Sequence, residues 1–314
     1  MSKFYDTQPL DTLFFRGATP MEAGMMNTIS IFPPPESVIK GAFWTVYCKQ
    51  NGKNFSEELV EGRIPFSVEG FFIKKNKKLY IPSPATWYYD SDVKVTNGSG
   101  LKDVDLIIAN DISKEITVKL KMKSSAGDVV FVNPKKDAKS LLGTWVGLDF
   151  YKNPKSKFSE DDILFPKDIF VLENRFGVAL DLNKKAKEGQ LYSSSHVRML
   201  DDVSFVIKIN DAINISDGGN IFLGGEKRLS KYSLMKDPLD IEVSCKGNDK
   251  YISLMPIEAT EENLKELVSS NKLIVTAGWD LAKGFHKPTM NWIPAGAVFN
   301  KKINDSCVVF TQPK

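Results

Sequence analysis

The sequence predicts an α+β protein with antiparallel sheets, and three observations predict it. Short runs rich in Phe, Ile and Val recur along the chain, separated by Gly, Pro and Asn, as strands are by their turns. Two stretches, one in each half, carry a helical apolar period behind a capping residue. A helix packed on a mostly antiparallel sheet in each half is an α+β layout.

Residues 3–17 open as a strand whose Leu10, Leu13, Phe14 and Phe15 feed a core and which Arg16-Gly17 ends; 20–31 read as a loop. Pro33 to Pro35 then stiffen the chain, and Ser37 is placed to cap a helix carrying Val38, Ile39, Ala42, Phe43, Val46 and Tyr47 on one face. Residues 67–75 and 79–89 read as two strands joined through the basic turn Asn76-Lys77-Lys78. Phe71 and Phe72 beside Gly70 fit a core better than an RNA-recognition strand, because the rest of that pattern is missing.

Residues 115–123 alternate, with Ile116, Val118, Leu120 and Met122 opposite a row of lysines, which suits a solvated sheet face or a nucleic-acid groove. Two prolines and many charges in 151–167 place the domain junction there, giving domains 1–152 and 153–314. In the second half 169–181 predict a strand with a turn at Gly177, and 204–211, 220–225 and 251–258 predict further strands. Thr260 caps a helix over 260–272, with Leu264, Leu267 and Val268 in one stripe and Glu261 and Glu262 in the first turn. Residues 273–279 form the next strand, and 293–302 and 307–312 close the sheet. A β-α-β-β-α-β ferredoxin-like unit, used once per domain, accommodates this order.

Composition limits the function. The 314 residues, 42% hydrophobic and 11% aromatic, are enough to bury a core. A net charge of +3 is too small for whole-molecule attraction to nucleic acid, so any basic surface has to be local. Cys48, Cys245 and Cys307 are odd in number and lack CxxC spacing, which argues against a disulfide framework or a structural zinc and fits a reducing cytoplasm. No run has the length of a signal-peptide core or a membrane span, so a cytoplasmic protein with no membrane partner is expected.

Catalytic chemistry is thinly supplied. The two histidines, His196 and His286, stand among basic and aromatic residues and are open to RNA contact or to a packed structural role. No HExxH, P-loop or dinucleotide fingerprint is present, so no metal and no cofactor is expected. The adjacent pairs Asp161-Asp162, Asp201-Asp202 and Glu261-Glu262 read as solvated turns or caps.

Three stretches carry a different chemistry: DGGNIFLGGEKRLSKY at 217–232, EGQLYSSSHVR at 188–198 and GWDLAKGFHKPTMNWIP at 278–294. In the first, Gly224 and Gly225 permit close approach to the main chain, and Lys227, Arg228 and Lys231 behind them attract anions. Arg16, Lys40, His196, Arg198, Lys283, His286 and Lys287 complete the RNA-binding candidates, with Arg175, Tyr192, Tyr232 and Trp292 as further members of the basic and aromatic set. Lys40 sits in the expected first helical turn, where it either holds a phosphate with the free backbone N–H groups or points into water. Glu226 is expected to brace the neighbouring cations.

FFRG at 14–17, FPPPESVIKGAF at 32–43, RFGVALD and KEGQLYSSSHVR within 175–198, FLGGEKR at 222–228, and GWDLAKG, KP and IPAG within 278–296 occur in one order along nearly the whole chain. In that order they resemble the CRISPR RAMP proteins, and among them the third subunit of the type III-B (Cmr) effector complex. The resemblance implies two fused ferredoxin-like (RRM-like) domains with a glycine-rich loop and inserted hairpins. It also implies a non-catalytic role, in which the subunit holds the 5′ handle of the guide RNA and joins the large polymerase-like subunit to the first copy of the RAMP backbone subunit. The GGDD signature of the large subunit is absent; GGEKR is shorter and less basic than many RAMP glycine loops. A CRISPR-RNA-processing endoribonuclease using His196 or His286 and a protein-only adaptor are the competing readings.

Overall fold

The structure is a computed structural model, described here for residues 2–17, 28–55, 64–90, 104–108, 121–124, 127–130, 138–210, 213–236, 239, 241, 250–280 and 285–310; at 28–29, 90, 104–108, 121–130 and 278–287 the description is of the backbone alone. The chain divides into two compact units, each assembled from three segments: Met1–Val68, Ile169–Pro238 and Val275–Asn291 in the first, Glu69–Asp168, Leu239–Ile274 and Trp292–Lys314 in the second. The boundary expected between residues 152 and 153 falls inside the second unit.

The first unit holds β1 (Lys3–Pro9), β2 (Thr28–Ile29), α1 (Glu36–Gln50), β3 (Phe170–Leu180), β4 (Ala186–Met199), β5 (Val203–Ile209), β6 (Gly218–Phe222) and β7 (Leu229–Leu234), with β8 (Ile274–Asp280) from Val275 onward and β9 (Phe285–Ile293) as far as Asn291. Four strands lie in the order β5-β1-β7-β6, every pair antiparallel. Period-two alternation divides them: Tyr5, Thr7, Ile221, Ser230 and Tyr232 are buried on one face, where the ring of Phe43 from α1 meets Tyr5 at 5.3 Å and Tyr232 at 5.9 Å. Gln50 at the end of α1 reaches the Tyr232 hydroxyl at 3.1 Å, fixing the helix on that face.

Helix α1 starts two residues earlier than its sequence suggests. Pro35 takes the N-cap position and no side chain caps it, so Ser37 is inside the helix and Lys40 lies in its second turn. Proline suits a helix start because its missing N–H would have no partner there. Ile39, Ala42, Phe43, Trp44 and Val46 are buried.

Strands β3 and β4 form a long antiparallel hairpin, and β2 adds to β4 in parallel. Gly177, expected to turn the chain, lies within β3 opposite Tyr192, whose ring covers it; the turn comes at Asp181–Lys185. Phe176, Val178, Leu180 and Leu191 on this hairpin are exposed.

In the second unit, strands Val68–Lys75 and Lys78–Pro82 are joined by the expected basic turn, with Asn76 and Lys77 at φ 48° and 67°, the left-handed pair of a tight hairpin. Trp145–Gly147 and Ile163–Leu164 extend that sheet. Thr260 caps the predicted helix, its hydroxyl accepting from the Asn263 N–H at 3.2 Å, but the helix ends at Lys265. Leu267–Ser269 is a strand paired with Val298–Phe299, so tertiary pairing overrides the helical period. Leu264 and Leu267 still pack on the core of Ile257, Ile293, Ala297, Phe299 and Cys307, whereas Val268 is exposed. Of the alternating stretch 115–123, residues 115–120 lie outside the described residues and Lys121–Ser124 is a strand.

Candidate nucleic-acid interface

The glycine-rich stretch is the tip of the β6–β7 hairpin: β6 ends at Phe222, residues 223–228 turn, and the Leu223 N–H closes the turn on the Arg228 carbonyl at 2.8 Å. The close approach that the glycines permit is made by this chain's own backbone. Gly225 donates to the Phe14 carbonyl at 2.7 Å, and a Cβ on Gly224, whose φ is +79°, would come 2.5 Å from that same oxygen. The loop is thereby seated on the segment Phe14-Phe15, held in turn by Leu13 and Val197 exchanging backbone bonds at 2.7 and 2.8 Å. Glu226 and Lys227 follow at φ 58° and 51°, two consecutive left-handed residues, both exposed.

Beneath the loop lies His196, fully buried on β4. Its ring stacks on Phe14 at 4.8 Å and 19°, Nδ1 is 3.3 Å from the Thr12 hydroxyl, and Nε2 is 3.1 Å from the Ser194 hydroxyl and 3.9 Å from Glu226. Burial pushes its pKa below the ordinary value, with the charge of Glu226 pulling the other way. The contacts of this histidine are those of a packed side chain with no exposed surface.

Three guanidinium groups and three carboxylates surround it. Arg228 donates to Asp11 at 2.6 Å and pairs closely with Glu226. Arg198 donates to Glu173 at 2.6 Å, and Arg175 reaches Glu173 at 3.0 Å and Asp11 at 3.5 Å. The backbone N–H of Thr12, and then Arg228 and Arg175, hold the Asp11 carboxyl below its ordinary range; Arg198 and Arg175 do the same for Glu173. The three positive and three negative charges cancel, so the network fixes the loop to β1 and the β3–β4 hairpin and leaves little positive field of its own.

The predicted site residues therefore separate. Gly224, Gly225, Lys227, Arg228, His196 and Arg198 come together around the loop, and Lys231 follows on β7, exposed. Arg16 is near the base of this arrangement, half-buried and bridged to Ser30. Lys40 rides on α1, against the opposite face of the sheet from that of Lys231. His286 and Lys287 belong to β9, and Lys283 lies outside the described residues. The carboxylates Asp11 and Glu173 were not foreseen, since a single acid in a sequence does not announce which distant arginine it meets.

The family described as "CRISPR-associated protein (Cas_Cmr3)" matches residues 5–250. The chain belongs to that family. Of its ordered motifs, those at 14–17, 32–43, 175–198 and 222–228 lie within the matched residues, and those within 278–296 lie beyond them. Two solved structures share its fold. A chain of the cryo-EM structure of the Type III-B Cmr-beta bound to cognate target RNA and AMPPnP, state 1, is 17% identical, with TM-score 0.55, over 94% of this chain and 85% of that one. A chain of the Type III-B Cmr-beta bound to cognate target RNA is 18% identical, with TM-score 0.54, over 96% and 90%. No curated protein matches the Cmr3-family chain. No described helix is long and apolar enough to cross a membrane.

Proposed function

We propose that this Cmr3-family chain is a non-catalytic, cytoplasmic subunit of a type III-B CRISPR ribonucleoprotein in antiviral defence, that it binds the 5′ handle of the guide RNA, and that it joins the large polymerase-like subunit to the RAMP backbone subunit. The observation that carries the RNA reading is the β6–β7 tip: a loop locked onto Phe14, with Lys227 presented outward and Lys231 behind it. Lysines on a rigid turn meet phosphates without an ordering cost in the backbone, leaving only that of their own side chains, while Arg198 and Arg228 act by holding that turn. The antiparallel run β5-β1-β7-β6 with α1 on one face supports a ferredoxin-like reading of the first unit. The burial of His196 weighs against the endoribonuclease alternative.

The experiment is charge reversal, Lys227→Glu with Lys231→Glu, in the reconstituted effector assembly, reading handle binding by peptide-resolved crosslinking and affinity. Handle binding falls at least tenfold while assembly and fold survive, if the reading is right. Unchanged affinity and unchanged crosslinks would remove the loop from the RNA interface.

A further inference from the structure

The register of β1, β7 and β6 composes a surface that the loop alone does not account for. Residues directly opposite in antiparallel strands share a face. Phe222 pairs with Leu229, whose carbonyl receives the N–H of Leu10; Asn220 pairs with Lys231, and Lys231 with Gln8; Gly218 pairs with Ser233, and Ser233 with Asp6. The face away from α1 therefore carries three consecutive rows across three strands. The first is apolar, with Phe222 53% and Leu10 49% exposed. The second is amide, ammonium, amide, and all three side chains are exposed. The third ends in the Asp6 carboxylate, anchored by the Ser204 hydroxyl at 2.8 Å. An open groove of about 380 Å³ runs over the second and third rows, within the range of small-ligand sites.

We infer that this face is a base-reading platform for one or two nucleotides of single-stranded RNA. The inference rests on the RNA-binding reading of the adjoining loop and goes beyond it, to residues that read bases. A sheet face that presents an unshielded ring beside amides is the chemistry that stacks an unpaired base and hydrogen-bonds its edge. Successive rows are about 7 Å apart and neighbouring strands about 4.8 Å, so a base stacked on Phe222 brings its edge over Asn220 on the same strand, while Gln8, two strands away, meets the next base. Those amides offer donors and acceptors together, as a base edge requires. Lys231 between them takes the phosphate, and Asp6 repels it, so the sugar–phosphate strand is steered to the lysine and amino groups to the carboxylate. A protein partner would instead find a polar middle row with no aliphatic side chain to bury.

The test uses the full-length chain and four short single-stranded homopolymer RNAs, one per base, read by fluorescence anisotropy. Wild type prefers one base. Phe222→Ala lowers affinity about 10- to 100-fold for all four, the effect of losing one stacked base, and Phe222→Tyr restores it. Gln8→Ala with Asn220→Ala flattens the preference, while Lys227→Glu weakens every RNA and leaves the preference intact. Loss in Lys227→Glu without any change in the Phe222 and amide variants overturns the platform and leaves the loop reading standing. Wild type binding none of the four RNAs brings both down. Phe222→Ala that abolishes subunit assembly at unchanged RNA affinity overturns the platform in favour of a protein occupant.

Discussion

The Phe14 carbonyl fills the space into which a Cβ on Gly224 would project, at 2.5 Å. Gly224→Ala thus meets backbone rather than a movable side chain, on top of the strain of φ +79°. We expect about 1–3 kcal/mol lower stability in chemical denaturation. Gly52→Ala, also at positive φ but with nothing within 4 Å, is the control and costs about 1 kcal/mol or less. Equal losses in the two variants would show that the contact with Phe14 does not hold the loop.

Glu173 is the shared partner of Arg175 and Arg198. Glu173→Gln leaves shape intact and removes one of the three cancelling charges, so the RNA affinity of the chain rises about 2- to 10-fold and its salt dependence steepens. A salt titration of binding checks this. A fall in affinity would mean that Glu173 serves RNA binding by holding the arginines in place.

The His196 ring couples stability to pH. Facing it are Thr12 and Phe14 ahead of α1, Ser194 on its own strand, Glu226 on the loop, and the charges of Arg175, Arg228 and Glu173. Its folded pKa lies below the ordinary 6.5, so the unfolded chain takes up the proton first as pH falls. The contribution is whole above about pH 6.5 and declines below it, toward the depressed folded value. Denaturation midpoints measured from pH 7.5 to 5.5 should fall, and His196→Gln should lessen that slope. The depressed Asp11 and Glu173 carboxyls act in a lower window, their stabilisation lost as pH drops below about 4.

Thr260→Ala removes the hydroxyl that accepts from Asn263 and costs about 1 kcal/mol. Thr260→Ser retains most of it. Hydrogen exchange at the Asn263 amide separates the two, rising in the alanine variant alone.

Local chemistry made much of this protein legible. The turn at Asn76-Lys77, the cap at Thr260 and strands β5 and β6 follow from residue types within a few positions of one another. The misses come from distance. Gly177 suggests a turn until the ring of Tyr192 is seen over it from the opposite strand. Val268 completes a helical stripe until Leu267–Ser269 finds its partner at Val298–Phe299. The glycines suggest a place for another molecule's backbone until that of Phe14 is seen to fill it. Arg198 and Arg228 stand beside the loop, and only packing reveals the carboxylates that absorb their charge.

The interleaving of the two units sets the order of events on the ribosome. Strand β1 precedes its partners along the chain, and β5, β7 and the β3–β4 hairpin that locks Leu13 follow about two hundred residues later. Neither unit is closed by any N-terminal fragment, because each takes its last segment from beyond residue 270. The nascent chain must therefore carry its Phe-rich opening unpaired through most of its own synthesis, at risk of wrong association. Expression at reduced temperature, or with its assembly partners present, should raise the yield of folded chain more than any single stabilising substitution.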